Sequence, residues 1–403
     1  MIAETAGYRS DAVRHGAASL PALTGVRGIA ALGVFLFHLQ PTVLSLLGAN
    51  PGQGLSLIAS AFRGVDLFFI LSGFILFHVH SKDFAYLDLR QIARFYTIRF
   101  FRVYPLNTAI LLLILPLPFA MPQFVEWHRM INLPYGANYL KDYSADAFVQ
   151  SLLLIQTWAF TQMGAWNGPA WTLSAEVLGY ATFPFLALRI YRQTSGFRTG
   201  VLAIGGLTIL VLLMAVTGHA RNNPNGAFAL IRMAFCFSAG ACLCRVFQLV
   251  EVARLPAAVL TLISVALIGV SFWQDRLGLF SFFGFAGLIF GLAYQSGPVD
   301  RLLTTGPMMF LGRISFSFYL VHATPLLLFD WFAGHELRDA SVLMKSTALT
   351  GLVVACFVVA TLMYHLVEIP FQRIGRRVAA GVTASPLMRH RRLVQFLSGG
   401  ARG

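Results

Sequence analysis

Two ionisable side chains in the first long apolar run of this sequence are spaced to act together. In LTGVRGIAALGVFLFHLQP, Arg27 and His38 stand eleven residues apart. On a helix that separation is three turns plus about 20°, so both project from one face with Cα atoms about 16 Å apart along the axis. Arg27 lies towards one end of the run and His38 further across, a track leading from the cytosol into the membrane and ending at an imidazole, the usual general base. Each residue alone has a plainer explanation. Arg27 can reach lipid headgroups with its guanidinium, and His38 can be a hydrogen-bonded core residue.

Other groups extend the pattern. In GVDLFFILSGFILF, Asp66 is expected at a depth matching His38, where a carboxylate would fix the imidazole tautomer and support its protonated form; a structural ion pair is the alternative. In PAWTLSAEVLGY, Thr172 and Glu176 fall one turn apart on one face, with Trp171 at the outer interface and Ser174 between them. Glu176 is suited to a sugar hydroxyl, to assisting His38, or to pairing with a buried arginine. In RFFRVYP, Arg99 and Arg102 share a helix face and present the bidentate donors that a phosphate or diphosphate accepts, although topological anchoring also explains basic residues there. LGRISFSFYLVHATP places Arg313 at the cytoplasmic start of a span and His322 inside it, the weaker of the two histidines because a bond to a neighbouring helix accounts for it. Cys236, Cys242, Cys244 and Cys356 lack zinc-ligand spacing, and no metal site is expected.

The elements that must position these groups are membrane helices. Of 403 residues 57% are apolar and 11% charged, against about 25% charged in a soluble domain, so too few charges remain to cover a water-facing surface. Ten runs read as spans: 22–42, 58–78, 100–120, 172–188, 199–217, 227–247, 255–274, 278–295, 309–330 and 346–366. An eleventh stretch, 147–160, would reverse the sidedness of everything after it. With ten spans and a cytoplasmic N-terminus, one side collects Arg9, Arg14, Lys82, Arg90, Arg94, Arg99, Arg189, Arg192, Arg198, Arg245, Arg254, Arg301, Arg313 and the tail arginines; the other keeps Arg129, Lys141, Arg221, Arg276, Arg338 and Lys345. Counting 147–160 as a span destroys that asymmetry, so it is expected to be a re-entrant or surface-lying helix. The expectation is an all-α polytopic membrane protein of about ten transmembrane helices with both termini cytoplasmic. A cytoplasmic segment over 1–21 without a cleaved leader, a membrane domain over 22–372 and a basic tail over 373–403 are expected. The net charge of +14 lies in loops and tail rather than on an aromatic-interleaved basic face, which argues against nucleic acid.

As an ordered set these motifs resemble the acyltransferase 3 family of integral membrane acyltransferases. The likeness runs from Arg27 and His38 through GVDLFFILSGF, RFFRVYP, WTLSAE and GRISFSFYLVH to HLVEIPFQR. It implies ten core spans, an essential Arg and His falling on Arg27 and His38, and a double-Arg motif at Arg99 and Arg102 that handles the donor. The sequence departs from the family pattern at Ile98, Asn107, Phe316 and the spacing of Pro325 from His322. The expected reaction is transfer of an acyl group, in the first instance acetyl, from acyl-CoA to a hydroxyl of a saccharide, glycolipid or other acceptor. His38 is its general base or transient acyl carrier, and Asp66 or Glu176 orients it. Trp171, Thr172, Ser174, Arg313 and His322 are expected to bind acceptor or support the site. Acyl-CoA is a co-substrate rather than a resident cofactor, and the expected location is a bacterial inner membrane. The competing expectation is a transporter or flippase for a small anion or saccharide, with the buried charges forming a proton relay.

Overall fold

The computed structural model describes residues 19–50, 54–120, 123, 143–158, 166–218 and 226–383. Glu4, Arg9, Asp11, Arg14, Arg129, Lys141, Arg221, Arg389, Arg391, Arg392 and Arg402 lie outside them, as do residues 159 and 160. The long helices used below are α1 (Pro21–Leu46), α2 (Gly64–His80), α3 (Leu89–Ile114), α4 (Ala145–Leu153), α5 (Trp171–Tyr191), α6 (Gly196–Val216), α7 (Gly226–Leu249), α8 (Arg254–Trp273), α9 (Ser281–Ala293), α10 (Gly306–Val321), α11 (Ala323–Phe332), α12 (Val342–Met363) and α13 (Ile369–Thr383).

Among the described residues, nine helical stretches are long and apolar enough to cross a membrane, and a tenth forms if α10 and α11 are one broken span. The protein is therefore an all-α polytopic membrane protein. Residues such as Ile263, Val354 and Val216 are exposed on the bundle's outer faces, an arrangement that suits lipid and not water. Where polar residues flank the apolar runs they cap them: Asp88 accepts from the Arg90 backbone N–H ahead of α3, and Ser195 and Ser341 do the same for α6 and α12.

Three boundaries differ from the sequence expectation. The third span begins at Leu89 rather than residue 100, because Asp88 caps a helix whose first turns are polar. The tenth runs without a break from Val342 to Val382 through a π-helical turn at Tyr364–Glu368, so residues 373–382 of the expected tail are helical. The ninth is bent by 51° at His322. Pro325 accounts for that bend, since it has no N–H to make the i→i−4 bond to the Val321 carbonyl and its ring crowds the preceding turn.

In the 147–160 region the described helix, α4, has nine residues. At 1.5 Å per residue it covers about 14 Å, half the hydrocarbon thickness. It ends where Leu154 takes up a left-handed conformation with φ 57°, and it is held to α3 by Asn107 Nδ2 donating to the Ser151 carbonyl at 2.9 Å.

Two crossings set the frame for the site. α1 and α10 pack so closely at Gly28 and Gly312 that a Cβ on Gly312 would stand 2.1 Å from the Thr24 carbonyl oxygen. α2 and α7 meet in the same way at Gly73 and Gly240. Small residues allow the backbones this approach, the usual device of helix pairs in lipid.

Candidate active site

A cavity of about 380 Å³ opens between α1, α2, α3, α5, α10 and α13. Four arginines reach it: Arg27 from α1, Arg99 and Arg102 from α3, and Arg376 from α13. One carboxylate, Glu176 on α5, lines it with them.

The arginines are not equivalent. Arg102 Nη1 donates to Glu368 Oε1 at 2.6 Å, and its guanidinium lies 4.7 Å from the centre of the Phe316 ring. Glu368, 2% exposed, also accepts from the Ser317 hydroxyl at 2.6 Å and from Gln372 Nε2 at 3.0 Å. Arg102 is therefore matched in charge. Among the described residues Arg99 has no carboxylate partner. Its Nη2 donates to His80 Nε2 at 3.3 Å, and its guanidinium sits near the rings of Phe95 and Tyr180. Because a guanidinium only donates, His80 Nε2 carries the lone pair, and Nδ1–H donates to Asp83 Oδ2 at 2.9 Å. That bond from His80 holds the Asp83 carboxyl below its ordinary pKa against the opposing effect of partial burial, with help from Arg94 3.9 Å away. Arg27 makes no hydrogen bond or ion pair among the described residues, although Arg102, Glu368 and Glu176 lie within electrostatic reach. Glu176 accepts from the Ser72 hydroxyl and is hydrogen-bonded by Tyr180. The lining thus has an excess of positive charge: among the described residues three of its guanidinium groups, Arg27, Arg99 and Arg376, have no carboxylate of their own. Such a cavity is suited to an anion with several oxygens.

The second locus lies further along α1. His322 Nε2 is 3.1 Å from His38 Nδ1. His322 Nδ1 lies 2.7 Å from the Tyr319 carbonyl, and His38 Nδ1 lies 2.9 Å from the Val34 carbonyl. Carbonyls only accept, so the neutral pair has one consistent assignment: His322 Nδ1–H donates to Tyr319, and the one His38 Nδ1–H is shared between the Val34 carbonyl and the lone pair of His322 Nε2. His38 Nε2 is then unprotonated, on a residue that is exposed where His322 is wholly buried. Neither histidine lines the arginine cavity; Tyr319 joins the two loci, its side chain on the cavity and its carbonyl on His322.

Neither carboxylate expected beside His38 touches it. Asp66 is taken by Arg232 of α7, in a bidentate pair at 2.5 and 2.7 Å with both side chains nearly wholly buried. Such a pair satisfies an intramembrane carboxylate more fully than an imidazole does. Glu176 belongs to the arginine cavity. Thr172 lines that cavity too, donating to the Pro169 carbonyl at 3.1 Å. Trp171 packs edge-on against Phe69 of the cavity wall, with ring centroids 6.1 Å apart. Ser174 is turned away: its hydroxyl accepts from Thr157 Oγ1 at 2.7 Å and anchors the segment after α4. Arg313 is exposed on α10 and does not reach the cavity.

The sequence profile described as "Acyltransferase domain" matches residues 20–365. The chain belongs to the acyltransferase 3 family. It is 31% identical over 206 residues to a protein named "Acyltransferase MdmB" from Streptomyces mycarofaciens, a match covering 50% of this chain and 47% of that one. It is 29% identical over 201 residues to "Protein 2 in picA locus" from Rhizobium radiobacter, covering 47% of this chain and 92% of the relative. The matched part thus spans about half the length of the first relative. No solved structure matches the chain.

Within this acyltransferase 3 chain, sequence reasoning passed over Arg232, Glu368, His80 and Tyr319. For Arg232 a signal exists: an arginine inside the predicted span 227–247 requires a counter-ion as surely as Asp66 does. Glu368 stands in HLVEIPFQR, a motif noted without a role for its carboxylate. His80 and Tyr319 carry no comparable mark, since their importance comes from which atoms face Arg99 and His322.

Proposed function

We propose that this protein transfers an acyl group, acetyl in the first instance, from acyl-CoA to a hydroxyl of a saccharide or saccharide-bearing acceptor in a bacterial cytoplasmic membrane. The observation that carries the reading is the order along α1: a cavity rich in unmatched arginine charge at Arg27, then an imidazole with a free Nε2 at His38. Membership of the acyltransferase 3 family and the likeness to a relative named an acyltransferase support acyl transfer over solute transport.

In this reading the phosphates of CoA lie against Arg27, Arg99 and Arg376 from the cytoplasmic side, and the thioester arm runs outwards along α1. The separation between Arg27 and His38, about 16 Å, suits an extended arm between a phosphate group and a reacting carbonyl. His38 Nε2 takes the proton of the acceptor hydroxyl as its oxygen attacks the thioester carbonyl. The new C–O bond forms, the C–S bond breaks, and the imidazolium returns the proton to the departing sulfur. The Val34 carbonyl and His322 Nε2 share the His38 Nδ1–H throughout, holding the ring in the tautomer that presents Nε2.

A His38→Ala variant that inserts normally is expected to lose about 10²–10⁴-fold in acetyl transfer while still binding acetyl-CoA. The test is release of free CoA and mass-spectrometric detection of one acetyl increment on cell-envelope glycans. Retention of full transfer by the variant refutes the assignment of the base. Solute movement without thioester consumption would favour the transporter reading.

A further inference from the structure

Beyond the His38–His322 pair, in the direction away from the arginine cavity, stands a carboxylate with too few donors. Asp330 on α11 is half-buried and accepts one hydrogen bond, from Thr42 Oγ1 to Oδ2 at 3.0 Å. Thr42 itself is 4% exposed. None of the ion pairs among the described residues includes Asp330. An ionised carboxylate offers about four acceptor positions, and its counterparts in the bundle use theirs. Asp66 has a bidentate arginine, and Glu368 has Arg102, Ser317 and Gln372. Among the described residues nothing donates to Asp330 Oδ1.

Its position gives that vacancy a use. Along α1 the order is Arg27, His38, Thr42, and Thr42 follows His38 by four residues, placing it on the same helix face about 6 Å further on. The facing wall repeats the order. Tyr319 on α10 lines the arginine cavity, His322 at the bend meets His38, and Asp330 on α11 meets Thr42. The 51° bend at His322 thus sets both meetings at once. A donor carried from the arginine side reaches His38 from one direction, leaving the Thr42–Asp330 side for the other substrate.

We propose that Asp330, held by Thr42, is the acceptor-binding subsite, taking one hydroxyl of a polyhydroxylated acceptor while a neighbouring hydroxyl meets His38 Nε2. The proposal rests on the acyl-transfer reading above. It selects acceptors with adjacent hydroxyls, as saccharides have, over simple alcohols, because a second hydroxyl is needed to occupy Asp330.

The test uses the full chain in membrane vesicles supplied with radiolabelled acetyl-CoA, following label into carbohydrate and, separately, acetyl-CoA binding. Asp330→Asn is expected to lower transfer about tenfold or more, the scale of a hydrogen bond to a charged group, with acetyl-CoA binding unchanged. Asp330→Glu is expected to recover part of the transfer. Thr42→Val keeps the carboxylate but frees its rotamer, and is expected to lower transfer a few-fold, again without effect on donor binding. Transfer within twofold of wild type in Asp330→Asn overturns the proposal. So does a parallel loss of donor binding and transfer in both variants, which marks a merely structural tie between α1 and α11. If Asp330→Asn does not accumulate, Thr42→Val decides, and normal transfer by it counts against the subsite. Failure of the wild-type protein to bind or consume acetyl-CoA sinks the acyl-transfer reading instead, a distinct result.

Discussion

His322 Nε2 stands 3.1 Å from His38 Nδ1, where the bent end of α10 meets α1. Two imidazoles so placed divide the work: His322, together with the Val34 carbonyl 2.9 Å from the same nitrogen, holds the tautomer, and His38 offers a free nitrogen. The buried carboxylates, which would ordinarily take the first task, are engaged elsewhere.

His322→Ala is expected to lower the rate constant for transfer while leaving acetyl-CoA binding intact, since the ring it removes contacts His38 and not the arginine cavity. General-base catalysis contributes about 10²–10⁴-fold, and loss of the orienting partner should cost a substantial part of it. His322→Gln, which retains a side-chain acceptor, should recover some of the loss. Steady-state kinetics with acetyl-CoA varied will separate the two parameters, and an unaltered rate in His322→Ala removes the orienting role.

Arg99 depends on His80, and His80 on Asp83, through bonds of 3.3 and 2.9 Å. His80→Ala should therefore raise the Michaelis constant for the donor about tenfold, the value of a hydrogen bond to a charged group, with little change in turnover. His80→Gln should do better than alanine. Because the Asp83 pKa is lowered in the fold, its contribution is complete above the ordinary carboxylate value and is lost only as pH falls through the lower folded value. Donor titrations between about pH 5 and 8 should accordingly show no step from Asp83. A donor constant indifferent to His80→Ala would show that Arg99 needs no support.

The Asp66–Arg232 pair has a structural signature. Asp66→Leu strands a buried guanidinium and should destabilise the protein by about 3–5 kcal/mol, whereas Asp66→Leu combined with Arg232→Met removes both charges and should restore most of that loss. Thermal unfolding in detergent of the two single variants and the double variant measures the coupling. Simple additivity of the two single losses would contradict the pairing seen between α2 and α7.

Membrane residence and helix number are legible in the residues, because both follow from local quantities. A span is an apolar run of sufficient length whatever surrounds it, and a charge deficit belongs to composition alone. The same locality explains why Arg27, Arg99, Arg102 and Glu176 were identifiable as intramembrane or membrane-edge groups. Their gathering in one cavity, with Thr172 and Arg376, depends on how six helices approach one another.

Pairing was beyond the reach of sequence spacing. Asp66, 166 positions from Arg232, and His38, 284 positions from His322, find their partners only through the close crossings at Gly73 with Gly240 and Gly28 with Gly312. A carboxylate in an apolar run announces that it needs a partner, but depth along one helix cannot say which neighbouring helix supplies it. Hydrogen bonds are settled over about 3 Å and helix spacing over about 8–10 Å, so the choice between imidazole and guanidinium for Asp66 is made by packing geometry. The chain's own pattern of apolar runs and isolated charges determined what kind of solvent it inhabits and which groups are costly there; the tertiary arrangement alone decided which of those groups meet, and hence which histidine keeps a nitrogen free.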